Sequence, residues 1–388
     1  MVATLNTSVI QNASSSTANI TLDTAGNVTG GANLVATGMP YGSSSFLRNR
    51  IINGDMRINQ RNASVTASGY TVDRFQYVAS VSSKGTLAQN TSIYPTGFNY
   101  SLGFTSSSAY SVGAGDYFAI NQTIEGYNIA DLGWGTANAK TVTLSFQVYS
   151  SLTGTFGGSL SSYSSTRSYP FTYSISSANT WTTISITVSG DTTVSATNWK
   201  IDSNAGMNVW FGLGVGTTYS GAAGSWSGSA YYSATGATSV VGTSSATFYI
   251  TSVQLEQGSV ATPFERPLYS SQLVDCQRYY QMSYDYGTAP GTATNTGIIA
   301  FGVAISGSTT GSGFIPFRVS MRTTPSISYW DGAGNASKIT IGGTSGQGNN
   351  YTPSGAPALI GLNGFSHPGQ AVSGNITNWL HYAASAEL

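Results

Sequence analysis

Charge is what this 388-residue chain has least of: Asp, Glu, Lys and Arg make up 7% of it, and 14 basic residues balance 14 acidic ones. Ordinary soluble domains carry roughly 25%. With no large field of either sign, nucleic acid and anionic membranes lack the electrostatic footprint that binding them requires. One cysteine, Cys276, excludes an internal disulfide. No run approaches the roughly 18 apolar residues of a membrane helix, so membrane insertion is not expected. The opening residues MVATLNTSVIQ offer neither a basic n-region nor an apolar h-region, and no signal peptide is expected. Stretches that combine the helix formers Ala, Leu, Glu and Lys are nearly absent, which leaves little room for α-helix.

What fills the chain instead is Gly (47 residues), Tyr (24) and small hydroxyl and amide residues, with aromatics at 12%. That aromatic content argues against disorder, and glycine with tyrosine favours turns and strands, so the expected fold class is all-β. Period-2 alternation is clear at Phe118, Ile120, Gln122 and Ile124; at Val142, Leu144, Phe146 and Val148; at Ile184, Ile186 and Val188; and at Val209, Phe211, Leu213 and Val215. One buried and one wet face per strand belongs to antiparallel sheets, and two such sheets stacked give a sandwich. The Gly/Ser/Tyr-rich intervals Ser150 to Pro170 and Thr217 to Thr243 read as long end loops or irregular edge strands. Residues 1–45 hold only short β-prone runs, Asn19 to Leu22 and Asn27 to Thr29. Too short to be stable alone, they are expected to pair with copies of themselves or to dock onto another protein, a floppy leader being the alternative.

Two kinds of chain meet at Thr247 to Tyr280. Phe248 and Ile250 alternate with Tyr249 and Thr251, but Val253 and Leu255 continue with opposite parity, which predicts a β-bulge near Ser252. The strand should end at Gln257 and Gly258. Pro263 and Pro267 make Ser259 to Pro267 a connector, and Ser270 or Ser271 is expected to cap a short helix with Leu273, Cys276 and Tyr280 on one face. Further short strands are expected at Ile299 to Ile305, Phe314 to Val319, Ser326 to Trp330, Lys338 to Ile341 and Trp379 to Tyr382. The domains are therefore set at 1–45, 46–266 and 267–388. No repeat of fixed period is visible, which sets aside a solenoid shaft.

The seam YITSVQLEQGSVATPFE followed by RPLYSSQLVDCQRYYQ, with FLRNRIINGDMRINQR, YTVDRF and IPFRVSMRTTPSISYW, resembles the tail-fibre and tail-appendage proteins of tailed bacteriophages. The resemblance implies a jelly-roll domain followed by a small C-terminal β-domain, and a place in the virion. It further implies a homotrimer whose N-terminus joins other phage tail proteins and whose C-terminal tip or sandwich loops contact a host surface glycan or protein. A chain without a signal peptide, made in the host cytoplasm and released by lysis, fits that setting.

Catalysis is not expected. Glycoside hydrolysis usually needs two carboxyl groups about 5 to 9.5 Å apart, and the candidates, Asp116 with Glu125 or Asp55 with Asp73, read more simply as partners of arginines or turns. Of the arginines, Arg48, Arg50, Arg57, Arg61 and Arg74 crowd one segment beside Asp55 and Asp73 and are read as structural pairs. His367 and His381 have no cysteine nearby, and Cys276 reads as core. No cofactor is expected apart from a structural Ca²⁺: the INGDM start and YITSVQLEQG end are similar to jelly-roll carbohydrate-binding modules, whose calcium between first and last strands would here take Asp55 and Glu256. For contact with a receptor, Trp226, Trp330, Tyr351 and Trp379 are the candidates, since flat rings suit sugar faces and a chain with so little charge cannot rely on ion pairs. Core packing is the competing use of each ring. The expectation is a non-enzymatic tail fibre. A structural capsid or tail decoration protein and a polysaccharide-degrading tailspike are the alternatives.

Overall fold

The structure is a computed structural model; it describes residues 9–10, 20–22, 28–30, 48–194, 198–303, 312–343, 346–353, 355–368 and 375–388. The chain divides into two compact units, Met1–Phe46 and Leu47–Leu388. In the first, β1 (Val9–Ile10), β2 (Ile20–Leu22) and β3 (Val28–Gly30) form an antiparallel sheet in that order.

The second unit opens with an antiparallel β-sandwich. Its strands are β4 (Gly69–Tyr70), β5 (Gln76–Ala79), β6 (Gly85–Asn90), β7 (Ser101–Ser106), β8 (Tyr117–Glu125), β9 (Val142–Ser150), β10 (Gly154–Ser162), β11 (Ser168–Ile175), β12 (Thr182–Val188) and β13 (Ala205–Val215). A parallel pair, β14 (Ser220–Gly221) with β15 (Ser233–Ala234), lies in the following loop, and β16 (Thr247–Gln257) closes the sandwich. One sheet has the order β11-β10-β13-β8-β5-β4 and the other β12-β9-β16-β7-β6. The chain crosses between sheets again and again, as in a jelly roll. Inward residues of both sheets form one core, with Phe118, Ile120, Leu144, Phe146, Val209, Phe211, Phe248 and Leu255 all buried. The bulge falls where the parity change put it: pairing of β16 with β9 slips between Thr251 and Gln254, and Ser252 has φ 59°.

Two expectations need correction. Gly154 to Ser162 is no loop; β10 is an inner strand paired with β11 and β13. It lacks large outward residues because the loop carrying β14 and β15 lies flat on it: a Cβ on Gly157 would stand 2.5 Å from Ser233 Oγ, and one on Gly212 of β13 2.6 Å from the same atom. The second correction concerns the helix. α1 runs Tyr269–Gln277 with Leu268 at its N-cap and no side-chain cap, so neither Ser270 nor Ser271 serves. It starts as soon as Pro267 is passed, and it buries Gln272, Cys276 and Gln277, while Leu273 is only half-buried and Tyr280 already lies in the next strand.

After the helix come β17 (Tyr280–Met282), β18 (Ile299–Val303), β19 (Ser312–Pro316), β20 (Ser326–Trp330), β21 (Ile339–Gly343), β22 (Gly346–Tyr351), β23 (Ala358–Gly361), β24 (Gly364–Pro368) and β25 (Asn375–Ser385). Strand β25 is the spine, pairing with β17, β18, β20 and β21. This region has its own core around Phe301, Ile339, Ile341, Phe365, Leu380 and Tyr382. Ile305 lies outside the described residues.

The two cores belong to one compact unit because a buried polar weld joins them. Glu125, at the end of β8, accepts from Arg278 Nη2 at 2.6 Å, Arg278 Nε at 3.0 Å and Tyr279 Oη at 2.5 Å. Glu387 pairs with Arg74 and, at 3.0 Å, with Arg61, and the Arg74 guanidinium lies 3.6 Å from the centre of the Tyr279 ring. Arg322 donates to Ser203 O and to Ala386 O. Among the described residues, no helix is long and apolar enough to cross a membrane.

Candidate functional site

Because Val142, Leu144, Phe146 and Val148 of β9 point inward, Thr143, Ser145, Gln147 and Tyr149 point outward, and the neighbouring strands extend each of these into a row. Tyr149 pairs with Tyr249 of β16, ring centres 5.6 Å apart, and on its other side meets Trp181, also at 5.6 Å. Tyr249 lies across β7, where a Cβ on Gly103 would come within 2.7 Å of its ring. The next row is Thr183, Gln147 and Thr251, and the one after it Ser185, Ser145 and Gln254. The outer face of the five-stranded sheet thus carries a three-ring aromatic stripe beside a lane of hydroxyls and amides without a charge.

The connector walls this lane. Glu256 is buried, and its carboxylate accepts from Thr262 N at 2.8 Å, Thr262 Oγ1 at 2.8 Å and Gln254 Nε2 at 2.9 Å. Gln254 Oε1 in turn accepts from Glu265 N at 2.7 Å. Pinned in this way, Ser259 to Pro267 raises Phe264 and Arg266 above the sheet. Phe264 packs on Phe98 at 5.4 Å, and the Arg266 guanidinium lies 4.2 Å from the Phe98 ring centre. Between this wall and β12 is a cavity of about 550 Å³, floored by Ser145, Gln147, Thr183 and Ser185.

The six-stranded sheet presents a different outer face. Trp210 of β13 is covered by Tyr232 from the 217–243 loop, stacked at 4.3 Å, and Tyr232 is stacked on Tyr219 at 5.1 Å. A cavity of about 420 Å³ remains at one end, lined by Asn121, Thr123, Tyr163 and Asn208 among others. The Thr123 hydroxyl stands 2.7 Å from Asn208 Oδ1 and 3.1 Å from Asn121 Oδ1, so its single proton is already committed within the protein.

The residues singled out from sequence are scattered. Trp226 donates to Ser189 O at 2.8 Å and packs in a cluster with Trp134 and Trp199 against the sandwich core. Trp330 packs on Tyr284, ring centres 6.1 Å apart; Tyr351 packs against the C-terminal core; Trp379 lies flat on Gly342 of the neighbouring strand. None of the four lines either cavity. Asp55 Oδ2 is 3.3 Å from Arg57 Nε, and burial pushes its carboxyl up against the pull of Arg57 and Arg266. Guanidinium groups around Asp55 and hydrogen-bond donors on Glu256 do not fit a Ca²⁺ site between the two acids. Among the described residues no group of three or more His, Cys, Asp and Glu gathers as metal ligands. The acid pairs considered for hydrolysis are likewise engaged separately. Asp116 is held by Tyr110 Oη and Gly113 N, both at 2.8 Å, and stands nine residues along the chain from Glu125 with β8 between them, roughly 30 Å at strand rise. Asp73 bonds Gln60 and faces Arg61.

Trp181, Tyr149, Tyr249, Phe98, Phe264 and Arg266 were not legible as a site. Outward aromatics on alternating strands are a signal, but nothing in the sequence aligns residues 149 and 249.

No family model and no curated protein matches the chain. Among solved structures, part of it is similar to the enzymatically active domain of bacteriophage CBA120 tailspike protein 4, with 11% identity over 54% of this chain and 22% of that one at a TM-score of 0.29. It is also similar to the TmCBM61 structure in complex with β-1,4-galactotriose, with 11% identity, 54% and 99% coverage and a TM-score of 0.26. A third is the family 11 carbohydrate-binding module of the cellulase Lic26A-Cel5E of Clostridium thermocellum, with 11% identity, 50% and 95% coverage and a TM-score of 0.25. These scores describe a partial likeness of strand arrangement.

Proposed function

We propose that this chain is a non-catalytic glycan-binding protein, and that the outer face of the five-stranded sheet holds an uncharged stretch of host surface polysaccharide. The observation that carries the reading is the half-buried pair Trp181 and Tyr149, backed by the buried Tyr249, beside the lane Thr183, Gln147, Ser145 and Ser185. Sugar rings offer an apolar face that packs on flat aromatics and a rim of hydroxyls that exchange hydrogen bonds with amide and hydroxyl side chains. A lane without charge suits a neutral ligand. The dispersal of the acids supports binding without hydrolysis.

The setting we propose is the tail of a bacteriophage virion, on the strength of the sequence resemblance at the seam. Residues 1–46 form a unit of their own with strands of two or three residues, which supports a role in trimerisation or in joining other tail proteins. Three copies would let weak single-site contacts add up by effective concentration.

The test is an array of bacterial surface polysaccharides probed with the full chain, with Trp181→Ala and Tyr149→Ala beside it. Retention of a neutral polysaccharide that both substitutions reduce is the expected result; retention unchanged in both variants would refute the site. Light scattering of the full chain tests the trimer, and a monomeric mass would refute it.

A further inference from the structure

The cavity on the five-stranded sheet does not end at its aromatic wall. Phe98 and Arg266 also line a second cavity, of about 110 Å³, together with Asp55, Arg57 and Tyr100. Arg57 and Tyr100 then line a third, of about 290 Å³, bounded by Tyr269 and Tyr286 with the amides of Asn59, Asn62 and Gln89. Three cavities in series, each sharing walls with the next, lead from the sheet face past the connector to helix α1 and the loop after β17. Both outer ones have flat rings and amides. Tyr269 and Tyr286 are 47% and 42% exposed, and the Tyr286 hydroxyl accepts from Gln277 Nε2 at 3.3 Å.

The middle cavity differs from its neighbours. The Asp55 side chain is 8% exposed, and its carboxylate is faced by Arg57 and by the backbone N–H groups of Asp55 and Arg57, with Arg266 nearby. A cation is disfavoured there by Arg57 and Arg266, and an anion by Asp55 itself; a hydroxyl is what both charges accept. At about 30 Å³ per water the cavity has room for roughly three to four water molecules, enough for the edge of a sugar ring carrying a hydroxyl.

We propose that the three cavities form one track for an extended neutral polysaccharide chain, with its waist between Arg57, Tyr100 and Arg266. The proposal rests on the glycan reading of the five-stranded face and adds a direction and a length to it. Recognition is then of chain interior, because both ends of the track stay open along the surface.

The experiment uses the full-length protein and the neutral polysaccharide it retains on the array, cut by mild acid and fractionated into a ladder of increasing length. Affinity is expected to keep rising after the five-stranded face is filled. Tyr286→Ala should remove that later gain, about tenfold or more, and leave the shortest binding fragments unaffected. Tyr286 is a half-exposed ring, so its truncation tests the track without emptying a core position. Affinity that reaches its plateau with fragments still sensitive only to Trp181→Ala, and indifferent to Tyr286→Ala, would overturn the track while leaving the sheet-face reading intact. Full sensitivity to Tyr286→Ala with none to Trp181→Ala would overturn both the track and the sheet-face site. Failure of the intact protein to retain any polysaccharide would overturn the glycan reading and the track with it.

Discussion

The outward residues of the six-stranded sheet include Tyr117, Asn121 and Thr123 on β8 and Asn208 and Trp210 on β13; those of the five-stranded sheet include Ser145, Gln147 and Tyr149 on β9 and Tyr249 and Thr251 on β16. By composition the two faces are near equivalents. One is nevertheless covered by the chain's own loop, with Tyr232 on Trp210, and ends in the buried charges that join the C-terminal region. The other is open only toward β12, where Thr183 and Ser185 are exposed and Tyr149 and Trp181 half-buried, while Tyr249 and Thr251 are buried beside a wall built by the connector. An aromatic on a sheet surface is therefore a stacking partner waiting for a cover, and whether the cover is the protein or a ligand depends on where the next loop goes.

The largest expected effect comes from breaking the structural side of this contrast. Glu125→Ala removes the acceptor shared by Arg278 and Tyr279 and should cost about 3 kcal/mol or more in denaturant unfolding. A loss below about 1 kcal/mol, within the range of an exposed pair, would mean that the end of the six-stranded sheet is no weld.

On the open side the effect should appear in binding. Trp181→Ala is expected to lower affinity for the retained polysaccharide by about thirtyfold, near 2 kcal/mol, with little change in melting. Tyr232→Ala should do the reverse, lowering the melting temperature and sparing affinity. An exchange of these two outcomes would reverse the assignment of the faces.

Glycine positions sharpen the comparison further. Gly212→Ala puts a methyl group 2.6 Å from Ser233 Oγ and should destabilise by roughly 1–3 kcal/mol through overpacking, with a change in Trp210 fluorescence as its cover shifts. Gly103→Ala pushes on Tyr249 and should weaken glycan binding. Equal effects of both on stability alone would erase the distinction.

The smallest effect is in pH. Asp73 is fully buried, and burial raises its carboxyl to about 6, against the opposing charge of Arg61 and the Gln60 hydrogen bonds. A group whose folded pKa lies above its unfolded value binds its proton more tightly when folded, so its contribution is fully present below about pH 4 and is lost as pH rises through about 6. Stability should therefore increase by on the order of 1 kcal/mol between pH 7 and pH 5. Asp73→Asn should flatten that slope; a slope unchanged in the variant would assign it to another group. Asp191 works in the opposite sense at lower pH. Burial raises it, but hydrogen bonds from Arg167, Thr193 N–H and Trp199 outweigh this and hold it below the usual value, so stability from that group is present above about pH 4 and lost as pH falls through its folded pKa.

By itself the sequence determined what is local and periodic. Alternation in residues 118–124, 142–148 and 209–213 put the right side chains into the core, and the parity change at Ser252 located the bulge, because a strand must send every second residue to the same side. Helix α1 was legible as an element but not in its cap, since Pro267 and the burial of Gln272 and Cys276 outweighed the serines. Strand β10 was hidden because its outward residues are small, and they are small because a loop from some 70 residues later lies on them. Only the tertiary structure decided which aromatics meet. Tyr149 and Tyr249 come together through the register of β9 with β16, and Phe98, Phe264 and Arg266 through the fastening of the connector by Glu256, which the likeness to jelly-roll modules offers as a calcium ligand. Pairings of this kind depend on cross-strand register and loop placement, and a period-2 pattern carries no information about either.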